Sequence, residues 1–392
     1  MRKRSVPMTK NVLNSAEMKW QNQKRILNLL HISPCSRAEL ARQTGLTRAA
    51  ISIIVDELFS LEYIIEGEPI LGKVGRKSFV LKLNPHRFYI IGINIARNRC
   101  KVGITNFNGD LLYHTTLEML QTPNEMLDNI TTILRENLKH NTYVGDLLGI
   151  GITAPGPVDT TNGRILNPPN FETWAFTNIA NYFQQEFQCP VVLENNSNAL
   201  ALAERFHGAG ANYHSYVELN VDSGIGSGVI LDGELYKGTS GFGNDFGHMS
   251  IHFLGKTCRC GNIGCAELYA STPNIVRYAN QLGLDFSEWS AIVDAALFGN
   301  TDALKIVEKE ANFLSLIIIN IINILDVDAI IIAGDLLYRN ELLLDLLRAQ
   351  VNQRILTRAV KQVDIIPSLI IHDGPLLSSA NLMLDYFFKH DA

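Results

Sequence analysis

The sequence predicts an α/β fold in two parts: a small, basic helical module followed by a larger two-lobed domain of alternating strands and helices. Three observations predict it. The chain has 392 residues, more than one compact core ordinarily organises. Its charge is divided: residues 1–84 hold 14 Lys and Arg against 7 Asp and Glu, while the remainder holds 20 against 32. A net +7 therefore precedes a net −12, and only the first part is suited to a polyanion. From about Arg87 onward, buried strand patterns come in two successive clusters with helical stretches between them, the pattern of two α/β lobes around a cleft. Apolar residues at 46% and charged residues at 19% are ordinary for a globular chain.

The first part, 1–84, contains three helical patterns in "NQKRILNLLHISPCSRAELARQTGLTRAAISIIVDELFSLEYIIEGE". Ile26, Leu29 and Leu30 share one face. A turn leads to a short helix from Arg37 to Gln43 with Leu40 and Ala41 inward. Gly45 allows a left-handed turn, and Thr47 is a good N-cap for the third helix. Ile51, Ile54, Val55 and Leu58 form the core face of that helix, leaving Thr47, Arg48, Ala49 and Ser52 on the other face near its start. This is the layout of a helix-turn-helix, whose second helix enters the major groove N-terminus first. Two β-rich runs then flank "LGKVGRKS". The basic, glycine-rich tip with Lys73, Gly75, Arg76 and Lys77 reads as the wing of a winged helix set against phosphates or a minor groove. Operator DNA is the expected partner.

In the second part, 85–392, "FYIIGINIARNRCKVGITNFNGDLLYHTTL" reads as three strands turning at Asn108-Gly109, and "DLLGIGITAPGPVD" as a buried strand ending in a Pro/Gly loop. "HSYVELNVDSGIGSGVILDGELYKG" gives two more strands. "FLSLIIINIINILDVDAIIIAG" is broken by Asn320, Asn323, Asp326 and Asp328. It therefore reads as a buried helix followed by a buried strand, not a membrane span. Lobe one is expected at about 85–200 plus the C-terminal helix, and lobe two at about 201–375. The opening "MRKRSVPMTKNVLN" lacks the apolar run of a secretory signal, so a cytoplasmic, nucleoid-associated location without membrane insertion is expected.

Cys258, Cys260 and Cys265 lie within eight residues. In a cytosolic chain such a cluster points to metal more than to disulfides. Three thiolates with one imidazole complete the closed tetrahedral set of a structural Zn2+, and His248 and His252 compete for the fourth place.

The motifs "GITAPGPVDTTNGRILNPPNF", "ENNSNALALAE", "GIGSGVILDGELYKG", "FGNDFGHMSI", "CRCGNIGCAELYAS" and "IIIAGD", together with the winged helix, resemble the ROK family of repressors, open reading frames and sugar kinases. The resemblance covers nearly the whole chain. It implies an actin/hexokinase-like (ribonuclease H-like) domain, His248 as the fourth zinc ligand, and sugar contacts from Asn170, Asn195, Asn196, Asp245, His248 and Glu267. The N-terminal reader aligns the chain with the family's repressors.

Departures from the kinase pattern cluster at one place. The D-x-G-G-T-type phosphate turn matches Asn94, Ala96, Arg97 and Asn98, so a metal-holding carboxylate is an amide and two glycines carry side chains. The second phosphate loop reads Asp222-Ser223-Gly224-Ile225-Gly226, with a negative charge where phosphate oxygens would lie. The base of the E-N-D-A-N motif is Asn196, which cannot take up a proton near neutral pH. Phosphoryl transfer needs positioned phosphates and an oriented nucleophile, so no kinase activity is expected. The expectation is a dimeric or tetrameric repressor of carbohydrate genes that senses a sugar or phosphosugar. Two alternatives remain open: an active sugar kinase with an added DNA reader, and a repressor controlled by a protein partner.

Overall fold

The computed structural model describes residues 15–70, 78–169, 171–370 and 374–390. These form two compact units. One holds the described residues up to Arg87 together with those from Leu384 onward; the other spans Phe88–Met383.

The first unit begins with helices α1 (Ser15–Ile32), α2 (Arg37–Thr44) and α3 (Arg48–Ser60). Ser36 caps α2 by accepting from the Glu39 amide at 3.2 Å, and Gly45 ends it at φ +72°. The Thr47 side chain caps α3 by accepting from the Ala50 amide at 3.2 Å. Ile51, Ile54, Val55 and Leu58 are buried, while Thr47, Arg48 and Ala49 are exposed and Ser52 is half-buried. Strands β1 (Ile64–Ile70) and β2 (Ser78–Leu83) pair antiparallel as the sides of the expected wing. Its tip, with Lys73, Gly75, Arg76 and Lys77, lies outside the described residues.

The second unit uses one sheet plan twice. Strands β3 (Phe88–Ile95), β4 (Arg99–Asn106), β5 (Leu111–Glu118), β6 (Asp146–Ala154) and β9 (Val191–Asn195) make a sheet in the order β5-β4-β3-β6-β9. A short hairpin of β7 (Val158–Asp159) and β8 (Arg164–Ile165) lies between β6 and β9 in sequence. The second sheet has the order β12-β11-β10-β13-β14, from β10 (Tyr216–Val221), β11 (Ile225–Leu231), β12 (Glu234–Leu235), β13 (Ala329–Gly334) and β14 (Asp364–Pro367). In each, three antiparallel strands precede two parallel additions. The helices are α4 (Pro123–His140), α5 (Ile179–Phe187), α6 (Asn196–His207), α7 (Glu267–Ala270), α8 (Thr272–Gln281), α9 (Trp289–Leu297), α10 (Thr301–Leu325), α11 (Glu341–Arg354) and α12 (Gly374–Lys389). Separate apolar cores lie against the two sheets, and α10 supplies much of the second. No described helix is long and apolar enough to cross a membrane.

A row of glycines decides how α12 packs. Gly103, Gly92 and Gly151 face one another across β4, β3 and β6. A methyl group on Gly92 would sit 3.0 Å from the Leu376 carbonyl oxygen, and one on Gly151 would overlap the Ser379 carbonyl outright. With no side chains there, the α12 backbone lies directly on the sheet. The helix starts in this unit and its last residues belong to the other.

One buried charge gives a measurable signature. Glu310 on α10 is 0% exposed and its carboxylate oxygens have no hydrogen-bond partner among the described residues. Burial pushes its carboxyl well above the usual range, so the folded state holds it neutral. A carboxyl raised on folding contributes most at acid pH, and that contribution is lost as pH rises above the unfolded value, at up to about 1.4 kcal/mol per unit. Glu310→Gln is expected to raise the melting temperature at pH 8 by several degrees, with the gain shrinking toward pH 5. Thermal melts across that range check it; an equal gain at both ends would refute the ionisation argument.

Candidate ligand cleft and metal centre

The candidate ligand site lies where α6 starts. Strand β9 ends at Asn195, whose side chain caps α6 by accepting from the Ser197 amide at 2.8 Å. Asn196 follows, half-buried. Its amide is engaged at both ends: Nδ2 donates to the Ile95 carbonyl at 3.2 Å and Oδ1 accepts from Asn94 Nδ2 at 3.1 Å. One N–H and one lone pair remain for a ligand hydroxyl. Glu194, 3% exposed, accepts from the Asn195 amide and Asn198 Nδ2 and pairs with Lys237 at 3.0 Å. That pair ties the end of β9, in the first sheet, to the loop after β12, in the second.

Strand β11 connects the two sets of candidate contacts. A methyl on Gly226 would overlap Ser197 Oγ, next to Asn196, while one on Gly224 would lie 2.5 Å from Glu267 Oε2. Glu267 also accepts from the Ile225 amide at 3.3 Å. Asp245 sits at the start of a single turn that carries His248. Although Asp245 is exposed as a whole, desolvation of its carboxyl and, less strongly, the Glu267 charge raise it above the usual range, while His248 opposes them. Asn195, Asn196, Asp245, His248 and Glu267 thus lie on elements that meet at β11. Asn170 is outside the described residues.

The segments that the resemblance matched to the kinases' phosphate loops make hydrogen bonds within the protein. Asp222 Oδ1 accepts from the Asp335 amide at 3.0 Å, its other oxygen accepts from Asn220 Nδ2 at 2.9 Å, and its carbonyl accepts from both the amide and hydroxyl of Thr272 at 3.0 Å. Burial first, then the Asp335 charge, raise its carboxyl above the usual range. The β3–β4 turn is closed by an Ala96 amide to Arg99 carbonyl bond of 2.9 Å. The Arg97 guanidinium donates to the Pro169 carbonyl at 3.2–3.3 Å.

His248, Cys258, Cys260 and Cys265 come together, with all ligand atoms within 4.8 Å of one another. His248 Nδ1 is 3.7 Å from Cys258 Sγ, and Cys260 Sγ is 3.6 Å from Cys265 Sγ. The edge of a tetrahedron with Zn–S near 2.3 Å is about 3.7 Å, so these residues fit the ion. His252 is turned to another use and stacks on Tyr269 at 6.1 Å. The loop is folded by Gly264, at φ +73°, whose added methyl would overlap the His252 carbonyl. The cluster lies between Asp245 and Glu267 in sequence. The sequence reading missed Lys237, whose partner is 43 residues distant. It also missed Thr153, bonded to Asn94 at 2.9 Å. Neither has a local motif that announces its partner.

These features define a class: an α/β domain of two like-ordered sheets with a cluster of one histidine and three cysteines, preceded in the chain by a helix-turn-helix module. The ROK family profile matches residues 90–386, and the chain belongs to that family. A xylose repressor of Bacillus spizizenii is 28% identical over 96% of this chain and 98% of its own length. A crystal structure of a ROK family transcriptional regulator, a homologue of the E. coli Mlc protein, superposes with a TM-score of 0.81 at 22% identity, covering 95% of this chain and 97% of that one. A ROK glucokinase from Streptomyces griseus, solved with glucose and AMPPNP, superposes at 0.65 with 26% identity over 75% of this chain and 98% of its own.

Proposed function

We propose that the chain is a sugar-responsive transcriptional repressor whose kinase-like domain senses its ligand without phosphorylating it. The observation that carries the reading is the amide pair Asn94–Asn196, 3.1 Å apart where family resemblance puts a metal-holding carboxylate and a general base. Neither amide can accept a proton near neutral pH. Asp222, held by Asp335 and Asn220, adds negative charge at the second phosphate loop. Hydrogen-bonding capacity for hydroxyls is retained at Asn195, Asn196, Asp245 and Glu267, with Asn170 as the sixth family position beside His248.

On this reading α3 presents Thr47, Arg48, Ala49 and Ser52 to an operator, with Lys73, Gly75, Arg76 and Lys77 of the wing on the backbone. The protein works as a homodimer or tetramer on a two-fold site in the cytoplasm. His248 and the three cysteines hold a structural Zn2+. Sugar binding biases lobe closure, which requires one arrangement to bind sugar better than the other.

DNA selected by the protein from a random pool supplies the probe, and its affinity is measured with D-xylose, other free sugars and phosphosugars. One of them is expected to shift affinity at least tenfold. No shift with any sugar would overturn the sensor reading and favour control by a protein partner. Sugar-dependent ATP turnover above background in a coupled assay would favour the kinase.

A further inference from the structure

We propose that Asn94, Thr153 and Ser379 are positioning residues that carry the state of the ligand site at Asn196 to helix α12, and that α12 carries it into the DNA-reading unit. The ligand-dependent half of this proposal rests on the sensor reading above.

The bonds form a directed chain. Asn94 Nδ2 donates one hydrogen to Asn196 Oδ1 at 3.1 Å and the other to Thr153 Oγ1 at 2.9 Å. Thr153 Oγ1 lies 2.8 Å from Ser379 Oγ on α12. The Ser379 hydroxyl donates to the Pro375 carbonyl at 3.0 Å, so Thr153 must be the donor in that pair. Thr153 and Ser379 are both 0% exposed and Asn94 is 6% exposed, so water does not compete. The other end of α6 also holds α12, through His207 Nε2 and Asn381 Oδ1 at 3.2 Å.

Packing gives the chain mechanical consequence. Because Gly92 and Gly151 leave no gap between sheet and helix, displacement of Thr153 is transmitted to the α12 backbone. The same helix continues to Lys389. Within the first unit, Phe387 meets Trp20 and Tyr63 with ring centroids 6.3 Å away, and Phe388 meets His31 at 5.5 Å. Lys24 donates to the His390 carbonyl. The last residues of α12 are thus part of the core that supports the DNA-reading helices.

The amides are what make the link. Ionised carboxylates at both 94 and 196 would offer no donor to each other or to Thr153 and would repel at this distance. The replacements that remove phosphoryl-transfer chemistry supply the donor that starts the chain. A ligand hydroxyl at Asn196 competes for the oxygen that Asn94 holds, and so acts on the first bond of the series.

The test uses the full chain. Hydrogen exchange is measured at residues 384–390 for wild type, Asn196→Ala, Ser379→Ala and the double variant, without ligand. Each single change is expected to speed exchange there about tenfold, and the double no further than the faster single, because both break one series. Multiplicative effects, or no change at 384–390, overturn the proposal. Ser379→Ala and Thr153→Val are then titrated with the sugar that shifts wild-type DNA affinity, beginning with D-xylose. Calorimetric sugar affinity is expected to stay within about threefold while the shift in DNA affinity collapses. A purely structural role would change the melting temperature and leave that shift intact, which also overturns it. If no sugar shifts the wild type, the sensor reading fails by itself, and the exchange result alone decides the relay.

Discussion

Cys265→Ala is expected to lower the melting temperature by 10 °C or more and to abolish any sugar response while leaving the helix-turn-helix folded. Cys265 is 0% exposed, and its sulfur sits 3.6 Å from Cys260 in the only cluster of potential metal ligands found among the described residues. Structural zinc in small peptides contributes on the order of 10–16 kcal/mol of apparent binding free energy, so even a fraction of that is large beside a domain's net stability. The damage should concentrate on residues 245–267, because the cluster holds the segment between Asp245 and Glu267. Metal analysis should find one zinc per wild-type chain and much less in the variant. Incubation of wild type with a strong chelator should reproduce the loss, and added zinc should reverse it. A variant that melts like wild type, or a wild-type protein without zinc, would remove the metal from the account.

The second large effect is expected at Gly151. Its added methyl group would overlap the Ser379 carbonyl, a backbone atom that cannot swing aside. Overpacking a close-packed interior usually costs about 1–3 kcal/mol when side chains can shift. Here the whole of α12 must lift, so Gly151→Ala is expected to exceed that range. Gly92→Ala, with its nearest contact at 3.0 Å, should cost less. Chemical denaturation of both variants gives the order directly, and equal costs would contradict the described packing. Gly151→Ala should also weaken DNA binding, although residue 151 is far in sequence from the helix-turn-helix.

The sequence made some of this legible and hid the rest for physical reasons. The three N-terminal helices were readable because Ile51, Ile54, Val55 and Leu58 repeat at helical spacing and Thr47 and Gly45 mark the ends. The cysteine part of the cluster was readable because Cys258, Cys260 and Cys265 lie within eight residues, whereas spacing left His248 and His252 as rivals and only the family resemblance favoured His248, the residue the structure places beside the three thiols. The departures at Asn94, Asn196 and Asp222 were readable only beside the family's kinase pattern. The hydrogen bonds these residues make were not. Asn94 and Asn196 are 102 residues apart, and Thr153 and Ser379 are 226 apart. The glycine row was in view as separate residues, yet it becomes a helix seat only when strand register sets Gly103, Gly92 and Gly151 side by side. The C-terminal helix was visible, but its division between two units depends on what surrounds it.

That division has a consequence for how the protein is made. Helix α1 leaves the ribosome early, while Phe387 and Phe388, which meet Trp20, Tyr63 and His31, are joined more than 350 residues after it. At about 5–20 residues per second, the DNA-reading module waits tens of seconds for part of its own core. An unfinished chain therefore carries a reader with an aromatic wall missing. Translation itself orders the assembly: residues Phe88–Met383 must be synthesised before the core of the first unit is complete.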